Sequence, residues 1–177
     1  MNISIRAMVE KDVDIILSNY TEQGWHKPKE VIEKYLNGQK EKRLYVFVAE
    51  YMGDIAGYTV LYPDTDIGPF ASEKIPMVSD FIVFKKYQRK GIGNKILDAA
   101  EKKASELSDK VQLSVGLHSG YGSAHRIYIK RGYIPDGSGV WYNDVQLEQY
   151  AECRNDDELI LFFVKNLSHD LKELYYE

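Results

Sequence analysis

Along the first sixty residues the apolar positions change period twice. Ile3, Ile5 and Ala7 alternate with polar neighbours, the two-residue period of a short strand. From Glu10 to Tyr20, Val13, Ile16, Leu17 and Tyr20 fall at helical spacing, and Asp12 is expected to cap that helix. Pro28 suits the first turn of a second helix with Val31, Ile32, Tyr35 and Leu36 as its apolar stripe; Asn37-Gly38 is expected to end it. Leu44 to Tyr51 and Ile55 to Leu61 then read as two strands joined through Met52-Gly53-Asp54 in a hairpin. Tyr62 to Pro76 holds three prolines and a glycine and reads as a loop.

The second half opens with a strand from Met77 to Phe84 and a basic, glycine-punctuated turn from Lys85 to Asn94. Ile92, Ile96, Leu97, Ala100, Ala104 and Leu107 mark a long amphipathic helix, and Val111 to Leu117 a further strand. Strand, helix and strand in this order predict a parallel crossover of right-handed sense. A helix from Ser123 to Lys130 stops at Gly132, and Ile160 to Val164 reads as a late, buried strand. Helices interleave with strands, but the hairpin breaks strict alternation. The expected fold class is therefore α/β with a mixed central sheet flanked by helices, not a doubly wound one, in a single domain spanning 1–177.

Composition narrows the function classes. With 23 basic and 27 acidic residues the formal charge is −4, which argues against a domain built for non-specific duplex binding. The one cysteine, Cys153, cannot form an internal disulfide and predicts a reducing, cytoplasmic setting; it also excludes a cysteine-rich zinc site. The longest apolar runs, Leu44 to Ala49 and Leu159 to Val164, fall far short of the roughly 20 residues of a membrane helix. No metal, nucleic-acid or membrane partner is expected.

The most specific local signal is Gln88-Arg89-Lys90-Gly91-Ile92-Gly93-Asn94, between a strand and a long helix. Gly91 and Gly93 let the backbone curl around a bulky anion. The N–H groups they present are the unpaired donors of a helix start, where the helix dipole also favours negative charge. Lys85, Lys86, Arg89 and Lys90 add cationic side chains beside the turn, so a multiply charged phosphate ligand satisfies all three features. The dinucleotide fingerprint needs a third glycine where Ile96 stands, and no Gly-Lys-Ser/Thr triplet exists for a P-loop.

The segment Asp80-Phe81-Ile82-Val83 through Gln88-x-x-Gly91-x-Gly93 resembles the acetyl-coenzyme A motif of the GCN5-related N-acetyltransferase (GNAT) superfamily, Gln/Arg-x-x-Gly-x-Gly/Ala after a strand ending in Val. Ala124, Tyr128, Gly132 and Tyr133 stand where that family shows Ala-x-x-x-Tyr-x-x-x-Gly-Phe. The run Tyr128 to Gly137 and the late Asp156 to Leu161 resemble a bacterial branch of these enzymes largely without assigned substrates. The resemblance implies two splayed parallel strands, with the backbone of Phe81, Ile82 and Val83 pairing with the pantetheine arm of acetyl-CoA. It implies that the backbone of Gln88, Arg89, Lys90, Gly91, Ile92, Gly93 and Asn94 holds the pyrophosphate, and that Tyr128 protonates the departing thiolate. The sequence departs from the family at Tyr121, which replaces an asparagine that would bind pantetheine.

Acyl transfer to an amine also needs a group to take the ammonium proton and an N–H donor for the thioester oxygen. A backbone N–H near Val83 suits the second need. For the first, Asp80 on its strand, His118 at the end of the next and a water chain with no dedicated base all stand as candidates. The acceptor is expected near the early helix pair, the Asp64 to Ile75 loop and the segment from Gly137 to Glu158, which carry Trp25, Tyr62, Phe70, Trp141 and Tyr142. Glu148, Glu152, Asp156, Asp157 and Glu158 make the late segment acidic, as a cationic amine would require. The activity so implied is N-acetyl transfer from acetyl-CoA to a small-molecule or peptide amine, in a monomer or homodimer. A non-catalytic acyl-CoA-binding regulatory module and a phosphate-dependent nucleotide enzyme are the alternatives.

Overall fold

The computed structural model describes residues 2–167. The chain forms two compact units, one of residues 2–63 and 78–103, the other of residues 64–77 and 104–167. The first holds β1 (Ile3–Ala7), α1 (Asp12–Glu22), α2 (Lys29–Lys40), β2 (Tyr45–Tyr51), β3 (Asp54–Tyr62) and nearly all of β4 (Met77–Val83) and α3 (Ile92–Ser105). The second holds β5 (Lys110–Gly116), α4 (Gly122–Lys130), β6 (Ile134–Tyr142), β7 (Val145–Gln146) and β8 (Leu159–Asn166).

In the first unit the strand order is β1-β2-β3-β4, with β2 antiparallel to both β1 and β3. The β2–β3 turn is only two residues long, because Tyr51 pairs with Asp54. Met52 and Gly53 both take positive φ, the primed-turn geometry that matches the right-handed twist of a hairpin. One face of this sheet packs Val46, Val48, Tyr58 and Val60 against Val13, Ile16, Tyr20, Ile32, Tyr35 and Leu36 of the two early helices. The other packs Ala49 and Ala56 against Ile92 and Ile96 of α3.

Two expectations about the helices fail for local reasons. Asp12 lies inside the first turn of α1, whose N-cap is Lys11. Its fully buried carboxylate instead accepts the Val9 N–H at 2.8 Å and both terminal nitrogens of Arg6 at 2.6 and 2.9 Å. Helix α2 runs through Asn37-Gly38 to Lys40. Gly38 is buried there, and a Cβ on it would meet the Leu44 side chain at 2.8 Å, so the missing side chain serves packing and not helix termination. Leu107, counted in the α3 stripe, lies beyond the helix end and is exposed.

In the second unit the strand order is β5-β8-β6-β7, with each pair antiparallel. Strands β6 and β7 were not expected. Pro135, Gly137 and Gly139 interrupt the β6 pattern, and its register against β8 shifts between Pro135 and Val140. The long loop is tied down: Gln112, fully buried, donates its N–H to Pro76 O and its amide to Ile75 O, each at 2.9 Å. Gly68 lies so close to Phe162 that a Cβ there would meet the ring at 2.7 Å.

Replacing Arg6 by Met should cost about 3 kcal/mol in urea denaturation, since a buried carboxylate loses its bidentate partner. Adding Asp12→Asn should recover much of that loss. A single-variant cost below about 0.5 kcal/mol, typical of a surface pair, would mean that water reaches Asp12.

Candidate functional site

The strand that carries the site is distorted. Asp80, in the middle of β4, has φ +46, a left-handed conformation that Asp tolerates better than most residues. The carbonyl of the preceding Ser79 accepts the buried Thr59 hydroxyl at 2.9 Å. On β3 the register also slips: Ala49 faces Gly57 while Glu50 faces Ile55, leaving Ala56 as the extra residue of a bulge. Ala56 O then accepts the Phe84 N–H at 3.0 Å. A side chain at Gly57 would collide with the Ile82 carbonyl and approach Val83 Cα at 3.1 Å. The bent end of β4 therefore runs over a glycine because only glycine leaves it room. Phe81 and Val83 pack on the α3 face and Ile82 on the opposite one.

Beyond Val83 the chain makes one tight turn and enters the cradle that the glycines predicted. Arg89 has φ +59 and Gly91 φ +80, so left-handed residues flank Lys90, a backbone of the kind that can line one side of a turn with N–H groups. Helix α3 begins at Ile92, and the positive end of its dipole faces the turn. The Gln88 side chain braces the turn by donating to Val83 O at 3.0 Å. Gln88, Arg89, Lys90, Gly91 and Asn94 are exposed, Gly93 is half-buried and Ile92 is buried in the core.

The basic cluster around this turn is divided. Lys86 pairs with Glu22 at 2.6 Å, and Lys85 Nζ lies 4.9 Å from the Trp25 ring centroid. Both lean toward the end of α1, leaving Arg89 and Lys90 as the cations of the cradle itself. Lys90 lies 5.5 Å from the Tyr51 ring centroid. These residues fit a phosphate-bearing ligand: an open N–H cradle at a helix start with cations beside it.

The Asp80 side chain lies on the α1/α2 face, within a set of phenols that the sequence did not associate with it. Tyr58 donates its hydroxyl to Asp80 Oδ2 at 2.8 Å, and the same oxygen accepts the Lys27 ammonium at 2.7 Å. Tyr20 and Tyr58 hydroxyls are 2.9 Å apart. Since Tyr58 has one proton and gives it to Asp80, Tyr20 is the donor of that pair. Burial and the negative charge of Asp80 push the phenols of Tyr20, Tyr35, Tyr58 and Tyr62 above their ordinary values, so all four stay protonated at neutral pH.

In the second unit His118 is fully engaged. Its Nδ1 accepts the Gly120 N–H at 3.1 Å, so the proton sits on Nε2, which lies 2.8 Å from Asp157 Oδ1. Tyr121 donates to the same oxygen at 2.9 Å, and its ring stands edge-on to His118 and close over Gly116. His125, which the sequence reading passed over, donates Nε2–H to Gly116 O at 2.8 Å. Tyr128 is buried in α4 with its ring edge-on to Tyr133, and burial pushes its phenol above the ordinary value. Among the late acids, Asp156 accepts the Tyr142 hydroxyl at 3.3 Å and the Glu158 N–H at 3.1 Å, while Glu148 and Glu152 are exposed. The described residues contain no cluster that could hold a metal ion and no helix long and apolar enough to cross a membrane.

The His118–Asp157–Tyr121 clasp makes a pH prediction. Hydrogen bonds from His118 and Tyr121 hold the Asp157 carboxyl below its ordinary range. A lowered folded pKa gives stability that is present above the unfolded value near pH 4 and fades as pH falls through the folded one. Asp157→Asn should therefore cost about 0.5 kcal/mol at pH 6, discounted for exposure, and less at pH 3. Thermal melts of both proteins at the two pH values check this; an equal deficit at both would contradict it.

The sequence model of the acetyltransferase (GNAT) domain matches residues 16–151. No curated protein matches the chain by sequence. Among solved structures, an N-acetyltransferase from Staphylococcus aureus Mu50 is similar at TM-score 0.69 and 15% identity, over 95% of this chain and 100% of that one. The ribosomal-protein-S18-alanine N-acetyltransferase from Escherichia coli is similar at TM-score 0.66 and 13% identity, over 99% and 100% of the two chains. A GNAT family acetyltransferase from Elizabethkingia anophelis with acetyl-CoA bound is similar at TM-score 0.58 and 19% identity, over 93% and 98%. At these identities the structures show a shared α/β fold, and the domain match covers well over half of the sequence: the chain belongs to the GNAT family of acetyltransferases.

Proposed function

We propose that this protein transfers an acetyl group from acetyl-CoA to a primary amine of a small molecule or peptide, by direct attack of the amine on the thioester, in the cytoplasm. The observation that carries this reading is the continuity of β4, the Gln88 to Asn94 cradle and α3 in one unit, with the Asp80 carboxylate on the same bent strand. Acetyl-CoA supplies the acetyl group as a thioester. The backbone of Phe81, Ile82 and Val83 and the cradle, with Arg89 and Lys90, would hold it.

The remaining steps belong to side chains. An amine attacks only when neutral, so its ammonium must first give up a proton. Asp80 is the better candidate for that proton, being fixed by Tyr58 and partly open to solvent. His118 is the weaker one, because its Nδ1 lone pair and Nε2 proton already serve Gly120 and Asp157. We assign His118, Tyr121 and Asp157 to holding the loop after β5. Tyr128 donates to the departing thiolate. Its buried phenol keeps its proton at neutral pH, as such a donor must. The same burial disfavours a tyrosinate, so hydrogen bonding to the developing thiolate contributes more than complete proton transfer.

Two variants separate binding from chemistry. Tyr128→Phe should lower kcat about 100-fold with acetyl-CoA affinity unchanged, read by free-thiol release and by calorimetry. Arg89→Ala should raise the acetyl-CoA KM about tenfold and leave kcat alone, since it removes a contact made equally in ground and transition states. Unaltered turnover in the first variant removes the role given to Tyr128; unaltered KM in the second removes Arg89 from the cradle.

A further inference from the structure

The ion pair between Lys27 and Asp80 is neither sealed in the core nor open on the surface. Its partners are 22% and 19% exposed, reachable from solvent yet walled by rings, whereas Lys29–Asp14 is largely open on both sides and the Asp12 end of Arg6–Asp12 is sealed. The anion is fixed. Asp80 sits on a strained backbone, and the buried Tyr58, itself braced by buried Tyr20, donates to its carboxylate from behind. The cation is held more lightly. Lys27 Nζ has Asp80 at 2.7 Å and the Tyr20 ring centroid at 5.9 Å, on a flexible stem.

The backbone beneath that stem is firm. In the segment joining α1 to α2, the Gly24 N–H donates to Thr21 O at 3.0 Å and the Trp25 N–H to Tyr20 O at 2.9 Å. Gln23 Oε1 accepts the Lys85 N–H at 3.0 Å, and Pro28 fixes the entry to α2. A fixed carboxylate, a displaceable ammonium beside it and phenolic walls together make a receptor for a molecule carrying both charges. In a free α-amino acid the ammonium nitrogen and the carboxylate oxygens are about 3 Å apart, as the bond lengths dictate. One such molecule therefore presents both charges within reach of two adjacent side chains.

We propose that Lys27 and Asp80 together read a zwitterion, selecting free α-amino acids over simple amines and peptide N-termini. This rests on the N-acetyltransferase reading and names its acceptor class. The incoming ammonium takes the place of Lys27 Nζ on Asp80, and Lys27 swings to the incoming carboxylate, so four charges alternate and none is left unpaired. A simple amine displaces Lys27 and gives it no partner. A peptide N-terminus offers an amide where the carboxylate should be, with the same result. Once the bound ammonium yields its proton to Asp80, Lys27 keeps the carboxylate end in place.

The test is calorimetric titration of the protein saturated with coenzyme A, using the standard L-amino acids and their α-amides as probes. At least one amino acid should bind with its amide at least tenfold weaker. Lys27→Met should erase that difference, Lys27→Arg should keep it, and Asp80→Asn should weaken acid and amide alike. The proposal is overturned if no amino acid binds, if acid and amide bind equally, or if Lys27→Met keeps the preference. Thiol release from acetyl-CoA, measured on the same probes and on n-butylamine, separates the two readings. Lys27-dependent binding without thiol release leaves the zwitterion site standing and removes the acetyl-transfer reading. Release with n-butylamine at the efficiency of the best amino acid keeps acetyl transfer and removes the zwitterion site.

Discussion

A left-handed residue turns a strand out of its straight path, and β4 carries one in its middle, at Asp80. The left-handed φ of +46 turns the chain, the Thr59 hydroxyl takes the carbonyl of Ser79, and Gly57 leaves the room through which Ile82 and Val83 pass. The features proposed for function hang from this bend. It aims one carboxylate at the phenols and Lys27 on the α1/α2 face, while Phe81 and Val83 stay on the α3 face. It also delivers the chain to the glycine turn at the angle from which α3 begins.

The same bend explains why this unit contains so much buried hydroxyl. A carboxylate on an interior strand face is costly unless its oxygens are hydrogen-bonded. Tyr58 and Tyr20 supply a directed chain of protons to it, and Lys27 supplies the opposing charge. The phenols lose acidity in the exchange, which keeps them as donors. Asp80 is thus held in one place by a hydroxyl and an ammonium aimed at the same oxygen, an arrangement suited to receiving a proton at one defined place.

Much of this was legible in the residues. The period change after Val83 and the two glycines made the turn before α3 legible, and Gly132 the stop after α4. The bend was not legible, because alternation across Ser79 to Val83 looks regular until the sign of one φ is known. Nor was the pairing of Lys27 with Asp80, since nothing local links a lysine between helices to a distant strand. Gly38 misled because a glycine that makes room for Leu44 looks in sequence like one that ends a helix. Strands β6 and β7 were hidden by Pro135, Gly137 and Gly139, which carry the register shift against β8. The partners of His118 were not legible either, because a sequence shows the imidazole and not the Gly120 N–H and Asp157 that engage it.

If the bent end of β4 and the turn after it form the acyl-donor site, backbone amide NMR during titration with coenzyme A should show saturable shifts concentrated at Phe81 to Val83 and Gln88 to Asn94. Shifts that cluster instead in the groove lined by Asp14, Ser18, Glu22 and Asp54, with the cradle amides unmoved, would contradict it.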